Sequence, residues 1–142
     1  MKDEVFLDAS YAIALSSPTD EHHDRAGELA ERIESEETHL VKTRVVVLEI
    51  GNALAGLRYR RAAVALLDAL EDDPTVTIVP LTEQTYERSL CLYRERPDKE
   101  WGLTDCHSFV VMEDLRLTDA LTADRHYCQA GFRALLREDL QR

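Results

Sequence analysis

Two short apolar runs, each stopping at a single acidic residue, most constrain what this chain can fold into. Val5-Phe6-Leu7 ends at Asp8, and Ala120-Leu121-Thr122-Ala123 ends at Asp124. Runs of this length read as buried strands. His39-Leu40-Val41 and the β-branched run Val76 to Val79 read the same way, and Phe132 to Leu136 reads as a last strand with helix as the alternative. Helical spacing fills the intervals. Tyr11 to Leu15 is a short Ala-rich helix stopped at Pro18, and Thr19 is expected to cap an acidic helix reaching Glu37. Thr43 caps a helix in which Val46, Ile50, Ala53 and Leu57 share one face; from Arg60 to Asp72 the face is Ala63, Leu66, Leu67 and Leu70. Thr82 opens a further helix running to about Arg94, and Thr104 is expected to cap one bearing Phe109, Val110 and Met112. Strands alternating with helices require parallel crossovers, and a parallel sheet is covered on both faces. The class is α/β.

With 142 residues and 44% hydrophobic content, this is the size of one core, and the four prolines punctuate elements without separating domains. A single domain over 1–142 is expected. The stretch Val5 to Leu15 is broken by Asp8 and preceded by Lys2, Asp3 and Glu4, so it reads neither as a secretory signal nor as a membrane span. Cys91, Cys106 and Cys128 are an odd, widely spaced set, which fits a reducing, cytoplasmic setting.

The net charge of −11 is unevenly spread. Thr19 to Glu37 alone carries eight acids and two bases, a solvated helix face with a charge of −6. Four further acids would account for −4 if they form one metal site, and the remaining surface is then nearly neutral. Arg58, Arg60 and Arg61, in a stretch free of acids, are candidates for touching phosphate, weighed evenly against a solvated helix start.

In parallel sheets, sites form at the carboxyl ends of strands, where Asp8 and Asp124 fall. Two other acids break their local pattern. Glu49 sits in the most apolar helix of the chain, one position off its buried stripe, and Asp105 lies in the first turn of the Thr104 helix. Taken singly, each has an ordinary explanation as a turn or cap residue. Brought together, they would raise one another's pKa unless a cation compensates, and hard oxygen donors favour Mg²⁺ or Mn²⁺.

The sequence contexts add a resemblance. Leu7-Asp8-Ala9-Ser10, Leu48-Glu49-Ile50-Gly51-Asn52-Ala53-Leu54, Leu103-Thr104-Asp105-Cys106-His107-Ser108-Phe109 and Leu121-Thr122-Ala123-Asp124-Arg125-His126-Tyr127, with Ala130-Gly131-Phe132, resemble the PIN domain. The similarity is in particular to VapC-type toxins of prokaryotic toxin–antitoxin systems, and it spans about Val5 to Leu136. It implies a three-layer α/β/α PIN-like sandwich with a short parallel central sheet. The implied activity is that of a Mg²⁺- or Mn²⁺-dependent endoribonuclease. The acidic quartet maps onto Asp8, Glu49, Asp105 and Asp124 as metal-binding and catalytic residues, with Ser10 as a hydrogen-bonding neighbour of the first acid. Asp98 and Asp119 match the quartet less well. The implied partners are an RNA substrate, a cognate antitoxin and a second copy in a homodimer.

Other constellations weigh less. His22-His23-Asp24 belongs to the solvated acidic helix, and Cys106, His107, His126 and Cys128 lack the spacing of a zinc site, which favours buried cysteines. Trp101 reads as half-buried loop packing more readily than as a base-stacking platform. No P-loop or GxGxxG is present. A silent PIN-fold binding module and an acidic phosphate-receiving domain are the competing classes. An intact quartet argues against the first, and Ser10 stands where the second needs a paired acid.

Overall fold

The computed structural model describes residues 1–138, so the last four residues of the expected 1–142 domain lie outside the described residues. Five strands, β1 (Glu4–Leu7), β2 (His39–Thr43), β3 (Val76–Val79), β4 (Asp119–Leu121) and β5 (Arg133–Ala134), form one sheet. Its order is β3-β2-β1-β4-β5, and every pairing is parallel. The chain winds outward from β1 to β3, crosses back to β4 and winds outward again to β5. Right-handed crossovers in opposite directions put helices on opposite faces. On one side pack α1 (Ala9–Ser16), α2 (His23–Glu36), α3 (Arg44–Ala53) and α4 (Arg60–Asp72); on the other, α5 (Glu83–Glu95), α6 (Leu103–Asp114) and α7 (Arg125–Gln129). A 3₁₀ turn, Leu135–Arg137, follows β5. The three-layer parallel arrangement agrees with the sequence reading.

The central strands are buried through Val5, Phe6, Leu7, Val41, Ala120 and Leu121, so their sequences are apolar runs and not alternating patterns. The expected caps Thr43 and Thr82 both accept a backbone N–H, from Val46 at 3.0 Å and Thr85 at 3.1 Å. Four local expectations differ. Thr19 does not cap α2; Asp20 Oδ1 accepts the His22 N–H at 2.8 Å and closes a turn first, which delays the helix to His23. Helix α6 starts one residue before Thr104, with Gly102 as its cap. In α3 the stripe ends with buried Leu54, and Leu57 lies beyond the helix and is fully solvated. The final run splits between β5 and the 3₁₀ turn, since the Leu136 N–H bonds back to the Thr122 carbonyl.

The cysteines also divide. Cys106 is buried in α6, whereas Cys91 and Cys128 are exposed because Leu92 and Tyr127 turn inward beside them. Trp101 is more buried than expected. Its indole N–H donates to Gln129 Oε1 at 2.9 Å, its ring packs edge-on against Phe109 at 5.1 Å, and the Arg96 guanidinium lies over it. That enclosure removes the faces on which a base would stack.

Lys42, in the middle of β2, is fully buried with its Nζ lacking any hydrogen bond. Burial lowers its pKa to about 8, against an upward pull from Glu71. The unfolded chain therefore binds more protons than the folded one between about pH 8 and 10.5, and stability rises with pH across that window. Lys42→Met, which keeps the volume and removes the buried charge, is expected to stabilise the protein by about 1–3 kcal/mol at pH 7. Urea melts at pH 7 and 9.5 check this: the variant loses the wild type's rise in stability with pH.

Candidate active site

The sheet reverses its winding direction between β1 and β4, which pair through Phe6 with Ala120 and Leu7 with Leu121. Ligand sites of open parallel sheets form at such a switch, beyond the carboxyl ends of the strands. Asp8 follows β1 there and Asp124 follows β4 by three residues. Each is also the N-cap of the helix that comes next, α1 and α7, so each carboxylate is aimed by local backbone N–H groups.

Asp8 is the most tightly fixed of the acids. Its Oδ2 accepts the Ser10 hydroxyl at 2.8 Å, the Thr122 hydroxyl at 2.8 Å and the Ser10 N–H at 3.4 Å, while Oδ1 accepts Tyr127 OH at 3.1 Å. The Ser10 oxygen in turn accepts the Ala123 N–H at 3.0 Å, and the Thr122 oxygen accepts the Asp124 N–H at 3.0 Å. One hydrogen-bonded web therefore ties the loop after β1 to the loop after β4. Tyr127 is buried within it, and burial together with the Asp8 charge keeps its phenol protonated, far above its ordinary pKa.

The other two acids come from opposite helical layers. Glu49 reaches in from α3, half-buried, and Asp105 from the first turn of α6. Asp105 Oδ2 accepts the Gly102 N–H at 3.0 Å, closing the start of α6 and leaving Thr104 free to hydrogen-bond with Glu49. This is why Thr104 is not the cap. Burial, followed by repulsion from Asp8 and Asp105 and more weakly from Asp124, pushes the Glu49 pKa to about 7. Asp105 is raised by burial and by Asp124, against the Gly102 N–H and His126, which lower it. The quartet named from the sequence is thus brought together at one sheet edge, and Ser10 sits against its first member.

Three residues of the site carry no role in the sequence reading: Thr122, His126 and Tyr127. His126 Nδ1 lies 3.0 Å from Asp105 Oδ2 and 3.3 Å from Asp124 Oδ1, and these three donor atoms are near enough to share one ion. Their signal was present in the Thr122 to Tyr127 context, but only the fold reveals that the hydroxyls and the imidazole face the carboxylates. Asp98 and Asp119 stand apart. Asp98 pairs with Arg96, and Asp119, fully buried at the opposite end of β4, accepts the Lys2 N–H at 3.1 Å and pairs with Arg133 at 3.3 Å. Arg58, Arg60 and Arg61 are exposed between α3 and the first turn of α4. Arg58 lies over the Tyr59 ring, and Arg60 donates to the Ala55 carbonyl.

The PIN-domain family model matches residues 5–133, nearly the whole chain. The chain belongs to the PIN-domain family. Among solved structures it is similar to Mycobacterium tuberculosis VapC20, a sarcin-ricin loop cleaving toxin, with 24% identity over 90% of this chain and 95% of that one and a TM-score of 0.78. It is also similar to FitAcB from Neisseria gonorrhoeae, with 19% identity over 92% and 94% of the two chains and a TM-score of 0.63. No curated protein matches it in sequence. As a PIN domain, it carries its clustered acids at the carboxyl edge of the sheet.

The donor set fits a divalent ion. Hard carboxylate oxygens converge with two raised pKa values and no Lys or Arg bonded to any of the four among the described residues, so their mutual repulsion is met only by hydroxyls, N–H groups and one imidazole. A carboxyl group whose folded pKa lies above its unfolded value contributes stability that is lost as pH rises through the folded value. In EDTA, the melting temperature is therefore expected to fall between about pH 4.5 and 7. Glu49→Gln should flatten that fall, as read by thermal melts across the range.

Proposed function

We propose that this chain is a metal-dependent endoribonuclease that cleaves RNA phosphodiester bonds as the toxin of a VapBC-like toxin–antitoxin pair. The observation that carries this reading is the meeting of Asp8 and Asp124 from the two central strands with Glu49 and Asp105 from the two helical layers. Family membership and the likeness to VapC20, itself an RNA-cleaving toxin, support it. A bound Mg²⁺ or Mn²⁺ supplies a lowered pKa for attacking water and charge neutralisation at the scissile phosphate. Asp8, Asp105 and Asp124 are the residues that would hold it. The hydroxyls of Ser10, Thr122 and Tyr127 fix the Asp8 carboxylate, so no reorganisation is needed when the substrate arrives. Glu49, which faces the same carboxylates from α3, is the group placed to take a proton from water and to return it to the leaving oxygen.

The reading includes a cognate antitoxin, a cytoplasmic setting and a homodimer. No helix among the described residues is long and apolar enough to cross a membrane. The second copy is supported by an apolar pocket of about 270 Å³ between α3, α5 and α6, lined by Val45, Leu48, Leu81, Tyr86, Leu103 and His107. Its rim is unusually apolar for solvent: Leu48 is 60% exposed, Leu81 48% and Tyr86 42%. A copy seated there lies against the helix that carries Glu49.

Purified protein incubated with a panel of structured RNAs is expected to cut with Mg²⁺ or Mn²⁺ and to stop with EDTA. Asp8→Asn is nearly isosteric and relieves repulsion, so it should keep the fold while lowering cleavage at least about a hundredfold. Full activity in a folded Asp8→Asn protein would sink the assignment. Sedimentation is expected to give a dimer that Tyr86→Glu converts to monomer.

A further inference from the structure

The geometry points to His126 as a nitrogen ligand of the metal centre, making this site select Mn²⁺ or a similar first-row divalent ion over Mg²⁺. The inference rests on the metal-dependent reading above and extends it to a residue outside the acidic quartet. Its basis is the triangle formed by His126 Nδ1, Asp105 Oδ2 and Asp124 Oδ1. Two edges of that triangle measure 3.0 and 3.3 Å, and all three atoms lie within 4.8 Å of one another. Adjacent ligands of an octahedral ion held at about 2.1 Å sit about 3.0 Å apart. The distance of Nδ1 from the two carboxylate oxygens therefore matches the spacing of neighbouring ligands, and a small rotation of the ring would turn it from Asp105 toward a shared ion.

The backbone explains why it is there. Asp124 caps α7 by accepting the His126 N–H at 2.8 Å, which sets the second helical residue directly over the carboxylate. The Asp105 Oδ2 that meets the ring also accepts the Gly102 N–H at 3.0 Å, which holds that oxygen at the start of α6. In the metal-free protein Nδ1–H can donate to Asp105. Ligation would use the tautomer that carries its proton on Nε2, in which the Nδ1 lone pair would face the ion.

The consequence is chemical selectivity. Mg²⁺ strongly prefers oxygen and keeps its waters, whereas Mn²⁺ accepts an imidazole beside carboxylates more readily. An all-carboxylate site discriminates less between the two ions. The competing role for His126 is a hydrogen-bonding bracket that merely holds Asp105 and Asp124 in position. His126→Asn separates the two, because its side-chain amide reaches the Nδ1 position and keeps a donor to Asp105 but offers no imidazole nitrogen.

The test is Mn²⁺ binding to the purified wild-type protein and to His126→Asn, followed by electron paramagnetic resonance, with Mg²⁺ as competitor. The wild type is expected to show ¹⁴N modulation from a coordinated imidazole on the bound Mn²⁺. His126→Asn, with an unchanged circular dichroism spectrum, should lose that modulation and bind Mn²⁺ at least about tenfold more weakly, with Mg²⁺ affinity changed much less. Mn²⁺ bound by the wild type without nitrogen coupling, or equal losses for both ions in the variant, would overturn the ligand role and leave the metal-dependent reading standing. Failure of the folded wild type to bind Mn²⁺ at all would overturn both.

Discussion

Electrostatic repulsion among carboxylates gathered at one edge of a buried parallel sheet is the constraint on which the rest of this structure depends. Asp8 and Asp124 cannot leave that edge, because each caps the helix that begins after its strand. Glu49 and Asp105 cannot retreat either, since one lies mid-helix in α3 and the other closes the first turn of α6. The protein answers the repulsion with dipoles. Two hydroxyls, a phenol and several backbone N–H groups surround the charges, and they align the carboxylates without neutralising them. A site arranged in this way is incomplete as a charge balance and complete as a scaffold.

The web around Asp8 also does structural duty. Ser10 and Thr122 join the loops after β1 and β4, which are adjacent in the sheet but separated by most of the chain. Such long-range contacts form late and with an entropic cost, so the polar cluster at the switch point ties together the two halves that wind in opposite directions. Aromatic packing backs it from below: Tyr127, which donates to Asp8, stacks edge-on against Phe109, and Phe109 against Trp101.

Much of this was legible in the sequence, for identifiable reasons. The fold class follows from strand-length apolar runs alternating with helical periodicity, whereas the four acids, each ordinary when taken singly, were joined into a quartet by the resemblance to the PIN domain. Glu49 was visible because it interrupts an apolar helix. Cap assignments failed where two residues competed for one role: Asp20 outcompetes Thr19 by closing its own turn, and Asp105 displaces Thr104 by reaching back to Gly102. His126 was hidden for a different reason. Its sequence context follows the strand that ends at Asp124 but does not show which way the ring turns, and its partner Asp105 lies a full helix and strand away. Lys42 was equally silent, since nothing in His39 to Thr43 reveals that a lysine is enclosed between β1 and β3.

Strand β4 carries an acid toward each of its ends, and the two are treated oppositely. Asp119, at the amino end, is fully buried and satisfied from within, by the Lys2 N–H and the Arg133 guanidinium. Asp124, beyond the carboxyl end, faces other acids and has no Arg or Lys of its own among the described residues. The sheet is therefore electrically polarised along its strands, quenched at one rim and unquenched at the other. For a diffusing cation, a protein of net charge −11 is not a uniform sink: the acidic helix face is open to water, whereas this rim gathers carboxylates at one point.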